Sequence, residues 1–266
     1  MVVPGRSRTI LAAMPASTPP HRVLARYYRS EHDRASFVTT LFDGAARHYD
    51  WVGHLLAFGS GPYYRRRALA HAGLRPGMTL LDVATGTGQV ARAAASILGD
   101  PRRVIGLDPS AGMLREARKV HSSPLVRGRA EEIPLRDDTF DMLSMGFALR
   151  HVDTLETAFA EYRRVLKPGG RLLLLEVSRP RSPMIRWPIR VYFQQVLPLI
   201  IRIATGSADA RLLMKYYWDT IDECVPPALI LAALEQTGFA EVQHRLLGGC
   251  LSEYVAVKAR ASGPPR

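Results

Sequence analysis

Two carboxylates and a glycine turn carry the most specific chemistry in this sequence. In Leu80-Leu81-Asp82-Val83-Ala84-Thr85-Gly86-Thr87-Gly88-Gln89-Val90 an apolar run ends in an acid, small residues and glycines, and a helical pattern follows. Glycines let the backbone approach a ligand with no Cβ in the way, and a helix start offers unpaired N–H groups to polar ligand atoms. Such a turn suits a nucleotide-like cofactor. A second acid, Asp108, closes Arg103-Val104-Ile105-Gly106-Leu107-Asp108, where a carboxylate can take both hydroxyls of a ribose. Gly86-Thr87-Gly88-Gln89-Val90-Ala91 fits the loose dinucleotide form G-x-G-x-x-G/A, which alone is a weak signal. Asp82, placed before the turn, is foreign to that form and suits the ammonium of S-adenosylmethionine, met through water or backbone groups.

The elements that must position these groups follow from the patterning. From Gly77 on, strand and helix patterns alternate: strands at Thr79–Val83, Arg103–Asp108, Pro124–Arg127, Phe140–Met145 and Arg171–Val177, helices at Val90–Leu98, Ala111–Val120 and Asp153–Leu166. Ser110 is placed to cap the second helix, and Lys167-Pro168-Gly169-Gly170 breaks the third. This alternation predicts a doubly wound, mostly parallel α/β sheet. Two last strands, Ala240–Leu247 and Cys250–Lys258, read as an antiparallel hairpin joined at Gly248-Gly249. Residues 36–75 read as helices, core packing or a substrate lid. Residues 178–222 interrupt the alternation with an apolar, aromatic, Arg-punctuated helical insertion that is core, lid or membrane-touching surface. Residues 1–35 are expected to be a flexible basic tail, with Met14 as an alternative start, and residues 261–266 a second tail; the domain proper is 36–260.

The 266 residues suffice for one large α/β domain, and 47% hydrophobic with 23% charged residues is ordinary for a globular protein. The net charge of +12 comes mostly from arginines scattered along the chain. No compact basic cluster with interleaved aromatics stands out, so no nucleic-acid partner is expected; a solvated basic surface or peripheral membrane contact is. Cys224 and Cys250 make no CxxC and no metal-ligand spacing, which fits a reducing cytoplasm and no metal. No apolar run approaches the roughly 20 residues of a membrane span.

Four ordered stretches give the sequence a family likeness. Leu81–Gly88 resembles the first motif of class I S-adenosylmethionine-dependent methyltransferases, and Gly106-Leu107-Asp108-Pro109-Ser110-Ala111-Gly112-Met113-Leu114 their second. Ala130-Glu131-Glu132-Ile133-Pro134-Leu135 with Asp138-Thr139-Phe140-Asp141 resembles the adenine-side loop and fourth strand, and Arg164–Gly170 the turn into the fifth. Within that superfamily the chain is most similar to the UbiE-type ubiquinone/menaquinone C-methyltransferases, on Ala46-Arg47-His48-Tyr49-Asp50, Leu56-Ala57-Phe58-Gly59, Gly146-Phe147-Ala148-Leu149-Arg150-His151-Val152 and Leu173–Ser178. The resemblance implies a Rossmann-like methyltransferase fold and S-adenosylmethionine as cofactor, with Asp82, Thr85, Gly86, Thr87, Gly88, Asp108, Pro109, Met113, Ala130, Glu131 and Gly146 around it. It also implies in-line methyl transfer to an aromatic or quinone-like acceptor in a cytoplasmic or membrane-peripheral enzyme.

A base near the acceptor is needed for such a transfer, and His151 is the best placed, just past the fourth strand, with Arg150 beside it to hold a phenolate or organise a water. Tyr49, Trp51, Tyr217 and Trp218 are expected to wall the acceptor pocket, with core packing as the competing role. The chain departs from the family where acceptor contacts lie: His151 stands where Asn is usual, Tyr49-Asp50-Trp51-Val52-Gly53 lacks a usual Asn, Tyr217-Trp218-Asp219 stands near a missing Arg-Met-His-Pro, and Ser252-Glu253-Tyr254-Val255 replaces a basic ending. O- or N-methylation of another metabolite, cofactor binding without catalysis, and an NAD-dependent oxidoreductase stay open as alternatives.

Overall fold

A computed structural model describes residues 17–56, 59–180 and 182–260. The predicted alternation is realised as a seven-stranded sheet. Its strands are β1 (Leu80–Val83), β2 (Val104–Asp108), β3 (Leu125–Arg127), β4 (Phe140–Gly146), β5 (Leu166–Val177), β6 (Phe239–Leu247) and β7 (Leu251–Lys258). The order is β3-β2-β1-β4-β5-β7-β6. β1 to β5 pair in parallel, and β7 runs antiparallel to both β5 and β6. All four residues of β1 are buried, as a central parallel strand requires. The Lys167-Pro168-Gly169-Gly170 stretch ends the helix as expected but is drawn into β5, with a shift of register against β4 between Phe140 and Met142.

Helices cover both faces. α2 (Gly61–His71) and α3 (Gln89–Leu98) pack Leu69, Ala91, Ala94 and Leu98 against Leu80, Val104, Met142 and Leu173. On the opposite face α5 (Leu155–Val165) and α9 (Pro227–Gln236) pack Phe159, Tyr162, Ile230 and Leu234 against Leu81, Leu143 and Leu172. Ser110 caps α4 (Ala111–Val120) as expected, its hydroxyl accepting the Met113 N–H at 3.0 Å.

A third cluster sits apart from the sheet. It joins α1 (Glu31–Leu56) to α6 (Pro183–Val191), a π-turn at Tyr192–Val196, α7 (Leu197–Thr205) and α8 (Ala208–Glu223). The insertion has a buried, a cavity-lining and an exposed part. Leu197, Ile201, Leu213 and Tyr216 are buried, Ile189, Tyr192 and Phe193 line a cavity, and Met184, Trp187, Leu199 and Ile203 are exposed. Among the described residues no helix is long and apolar enough to cross a membrane.

The expected tail is corrected for its second half. Leu24 and Tyr28 are buried in the third cluster. The Thr18 carbonyl accepts the Leu155 N–H at 3.0 Å and the Pro20 carbonyl the Val225 N–H at 2.9 Å. The arginines there have acids and carbonyls to meet: Arg22 pairs with Glu223 at 2.7 Å, and buried Arg34 donates to the Asp153 carbonyl at 2.6 Å. Residues 1–16, with the alternative start at Met14, and 261–266 lie outside the described residues, as do Ala57 and Phe58 of the family-like stretch before Gly59.

Candidate active site

The glycine turn is held in shape from below. Asp82 and Ser144 are register partners on β1 and β4, and the Ser144 hydroxyl donates to Asp82 Oδ1 at 2.7 Å. The Thr85 hydroxyl donates to Asp82 Oδ2 at 2.6 Å. Burial pushes the Asp82 carboxyl up to about 6, with these two hydroxyls pulling the other way. Asp82 is 1% exposed and does not line the cavity that Asp108 faces; it sits beneath the turn, each of its oxygens accepting a hydroxyl that ties β1 to the turn and to β4. The turn itself is left-handed at Ala84 (φ 53°), Gly86 (φ 58°) and Gly88 (φ 80°). A Cβ at Gly86 would stand in open space, whereas one at Gly88 would collide with the His121 ring. Gly88 is therefore glycine for packing, and Gly86 keeps a ligand-sized opening clear.

Asp108 faces that opening. Its Oδ2 accepts the Gly86 N–H and its Oδ1 the Ser110 N–H, each at 2.8 Å. Burial pushes it too up to about 6, the two N–H groups opposing. Each oxygen keeps a lone pair for a further donor, the geometry a vicinal diol needs. Gly86, Asp108, Pro109, Met113, Ala130, Glu131 and Gly146 line one narrow cavity of about 130 Å³, together with Ala84 and Ser110. Thr85, Thr87 and Gly88 do not line it; they shape the turn. The acceptor and apolar walls fit an adenosyl group: a carboxylate that accepts from a diol, a Cβ-free approach and the Met113 side chain.

α1 closes this cavity through two acids the sequence reading left without a role. Asp50 Oδ1 accepts the Thr87 hydroxyl at 2.5 Å and the Gln89 amide at 2.6 Å. Asp43 Oδ1 accepts the Ser110 hydroxyl at 2.5 Å and the Gly112 N–H at 2.7 Å. Seven residues apart, they share one helix face and bridge the glycine turn to the start of α4. Their seven-residue spacing on one helix was the available signal.

A second cavity of about 580 Å³ adjoins the first, and its walls are largely apolar. Tyr49, Phe147 and Tyr217 line both cavities. Trp218 and Arg150 line the second, and His151 the first. Trp51 lines neither and is 39% exposed, which removes it from the expected pocket wall.

His151 and Arg150 differ sharply in their surroundings. The His151 ring stacks on Tyr216 (5.5 Å between centroids), with Nδ1 3.4 Å from its hydroxyl. Its Nε2 is buried without a hydrogen-bond partner. Burial first, then the charge of Arg150, holds its pKa well below the ordinary value, so the ring is neutral. Arg150 is 1% exposed and ion-paired with Glu176 of β5, whose other oxygen accepts the Leu149 N–H at 2.7 Å. Its guanidinium lies 5.6 Å from the Tyr217 ring centroid. A guanidinium so committed orders the cavity wall.

The sequence pattern of the ubiE/COQ5 methyltransferase family matches residues 29–258, nearly the whole described chain. The chain belongs to this family. It is 34% identical to the demethylmenaquinone methyltransferase of Symbiobacterium thermophilum, over 87% of this chain and 96% of that protein. It is 37% identical to the ubiquinone/menaquinone biosynthesis C-methyltransferase UbiE of Syntrophotalea carbinolica, over 80% and 91% of the two. Two solved structures share the fold at low identity. One is a methyltransferase of Thermotoga maritima described as a possible histamine N-methyltransferase (TM-score 0.58, 21% identity, 82% of this chain and 98% of that one). The other is phosphoethanolamine N-methyltransferase 2 of Haemonchus contortus in complex with S-adenosyl-L-methionine (TM-score 0.57, 16% identity, 88% and 61%). The protein is thus a methyltransferase on a Rossmann-like sheet, as the sequence motifs imply.

Proposed function

We propose that this ubiE/COQ5-family methyltransferase takes S-adenosylmethionine in the Asp108 cavity and methylates a ring carbon of a quinol precursor lodged in the apolar cavity beside it. The observation that carries the reading is the meeting of the two cavities at Tyr49, Phe147 and Tyr217: a diol-binding pocket opens onto an apolar one large enough for a ring with an apolar tail. The names of the relatives from Symbiobacterium and Syntrophotalea support the acceptor class.

The cofactor supplies an already activated methyl group when bound. The chain's own tasks are alignment, exclusion of water and removal of one proton. Asp108 would hold the ribose, and Met113 and Ala130 would line the pocket of the base. The neutral His151 Nε2 accepts the proton that leaves the ring, Arg150 braces Tyr217, and the exposed apolar residues of α6 and α7 rest on a membrane from which an apolar acceptor arrives. The test is turnover of methyl-labelled S-adenosylmethionine with demethylmenaquinol. A C-methylated product lost in His151→Ala is the expected result. An O-methylated product, or none while the cofactor binds, refutes the acceptor assignment.

A further inference from the structure

Arg65 of α2 lines the apolar cavity and, among the described residues, makes no ion pair. Its guanidinium carbon lies 5.4 Å from the Phe147 ring centroid. Its Nε is buried with no hydrogen-bond partner. The acids that act on it from a distance are Asp50 and Asp82, whose hydrogen bonds go to Thr87 and Gln89 and to Thr85 and Ser144. Arg150, against the Tyr217 ring, has its charge balanced by Glu176. Phe147 adopts a left-handed φ of 62°, a conformation strained for a side-chain-bearing residue, at the point where it meets Arg65 and lines both cavities. The charge of Arg150 is balanced by a direct ion pair, whereas that of half-buried Arg65 meets its nearest acids only at a distance. A partly buried guanidinium unpaired in the protein is costly unless a ligand's anion completes it.

We propose that Arg65 is the oxyanion anchor of the acceptor site: the acceptor ring binds with an ionised oxygen against this guanidinium, its proton released to solvent. This rests on the reading of the apolar cavity as the acceptor's. It defines specificity, since aromatic compounds with an ionisable ring oxygen are selected over neutral ones of equal shape.

The experiment compares two coloured probes with S-adenosylhomocysteine saturating: 2-hydroxy-1,4-naphthoquinone, anionic at neutral pH, and its uncharged 2-methoxy counterpart. Wild type is expected to favour the anion by about tenfold or more, as a charge-assisted contact gives. Arg65→Lys keeps most of that preference, and Arg65→Met brings the two probes to near parity with S-adenosylhomocysteine affinity unchanged. The ratio is taken within one variant, so a general loosening of α2 weakens both probes and cancels. Arg65→Met retaining the wild-type ratio overturns the proposal. If neither probe binds wild type while S-adenosylhomocysteine does, the acceptor reading falls and the anchor with it.

Discussion

The hydroxyls of Tyr49 on α1 and Tyr217 on α8 meet at 2.7 Å, and both rings face both cavities. Burial pushes both phenols above their ordinary value, so both keep their protons. Two hydroxyl hydrogens share one mutual bond, which leaves one for a ligand. Tyr49→Phe and Tyr217→Phe should each lower kcat/KM by about five- to thirtyfold, the loss of one buried hydrogen bond of about 1–2 kcal/mol. Steady-state kinetics beside thermal unfolding checks this. Unchanged kcat/KM in both variants would mean the pair is packing alone.

Asp108 should give cofactor binding a pH dependence. Its carboxyl rises from the ordinary 3.8 to about 6 in the folded protein through burial. The folded state then holds the proton more tightly than the unfolded one, so this group's contribution to ligand-free stability is greatest in acid and is lost as pH rises from about 4 to about 6. Diol binding needs the ionised form and runs the opposite way. Affinity for S-adenosylhomocysteine should fall about tenfold per pH unit below about pH 6, the slope of one linked proton. Calorimetric titration across pH 5 to 8 should show the slope vanish in Asp108→Asn and persist in Asp82→Asn.

The Asp43 and Asp50 clasp should set how long the cofactor stays. Each acid accepts two hydrogen bonds across an element boundary. In Asp43→Ala/Asp50→Ala the release rate of S-adenosylhomocysteine should rise at least about tenfold, since bonds of about 1 kcal/mol each are lost. Hydrogen exchange along residues 31–56 should rise with it. Exchange at the wild-type level would show that α1 is held by its apolar packing and that the clasp contributes nothing.

What the sequence could show was whatever local order decides. Asp108, Met113 and Gly146 sit at strand ends and a helix start, so position along the chain places them at the cavity. Asp82 has the same local signature, yet its partner Ser144 is 62 residues away and turns it into a support. Trp51 failed through helix phase: two residues past Tyr49 is about 200° round the helix, away from the face Tyr49 shows the cavity. Arg150 was legible as a position and not as an ion pair, because Glu176 reads only as the end of a leucine-rich strand. Composition likewise hid the packing of residues 17–35, whose arginines meet acids far along the chain.

Two tryptophans separate exposure from function. Trp218 is 1% exposed and lines the apolar cavity. Trp218→Ala should cost about 3–5 kcal/mol in denaturant unfolding and raise the acceptor KM. Trp51→Ala should stay within about 0.5 kcal/mol and leave kinetics unchanged, as for an exposed site. A loss of activity in Trp51→Ala comparable to that in Trp218→Ala would restore Trp51 to the acceptor wall.

The outer residues of α6 and α7 are the last point of test. Met184 is 87%, Trp187 70% and Ile203 79% exposed, and Arg190 and Arg202 lie exposed among them. Pro188 and Ile189 of the same α6 line the apolar cavity, so one helix presents residues both to that cavity and to solvent. Apolar residues flanked by cations suit an anionic bilayer, where burial of the first and attraction of the second add together. Wild type should float with vesicles containing phosphatidylglycerol, less so in high salt because exposed charges are screened. Met184→Ser/Trp187→Ser/Ile203→Ser should reduce that binding at least about tenfold and leave turnover of a short-tailed, water-soluble acceptor intact. Equal flotation of the variant, or a wild type that ignores vesicles and pairs with a second copy through this face, would remove the membrane from the account and leave the cavities to find their acceptor in water.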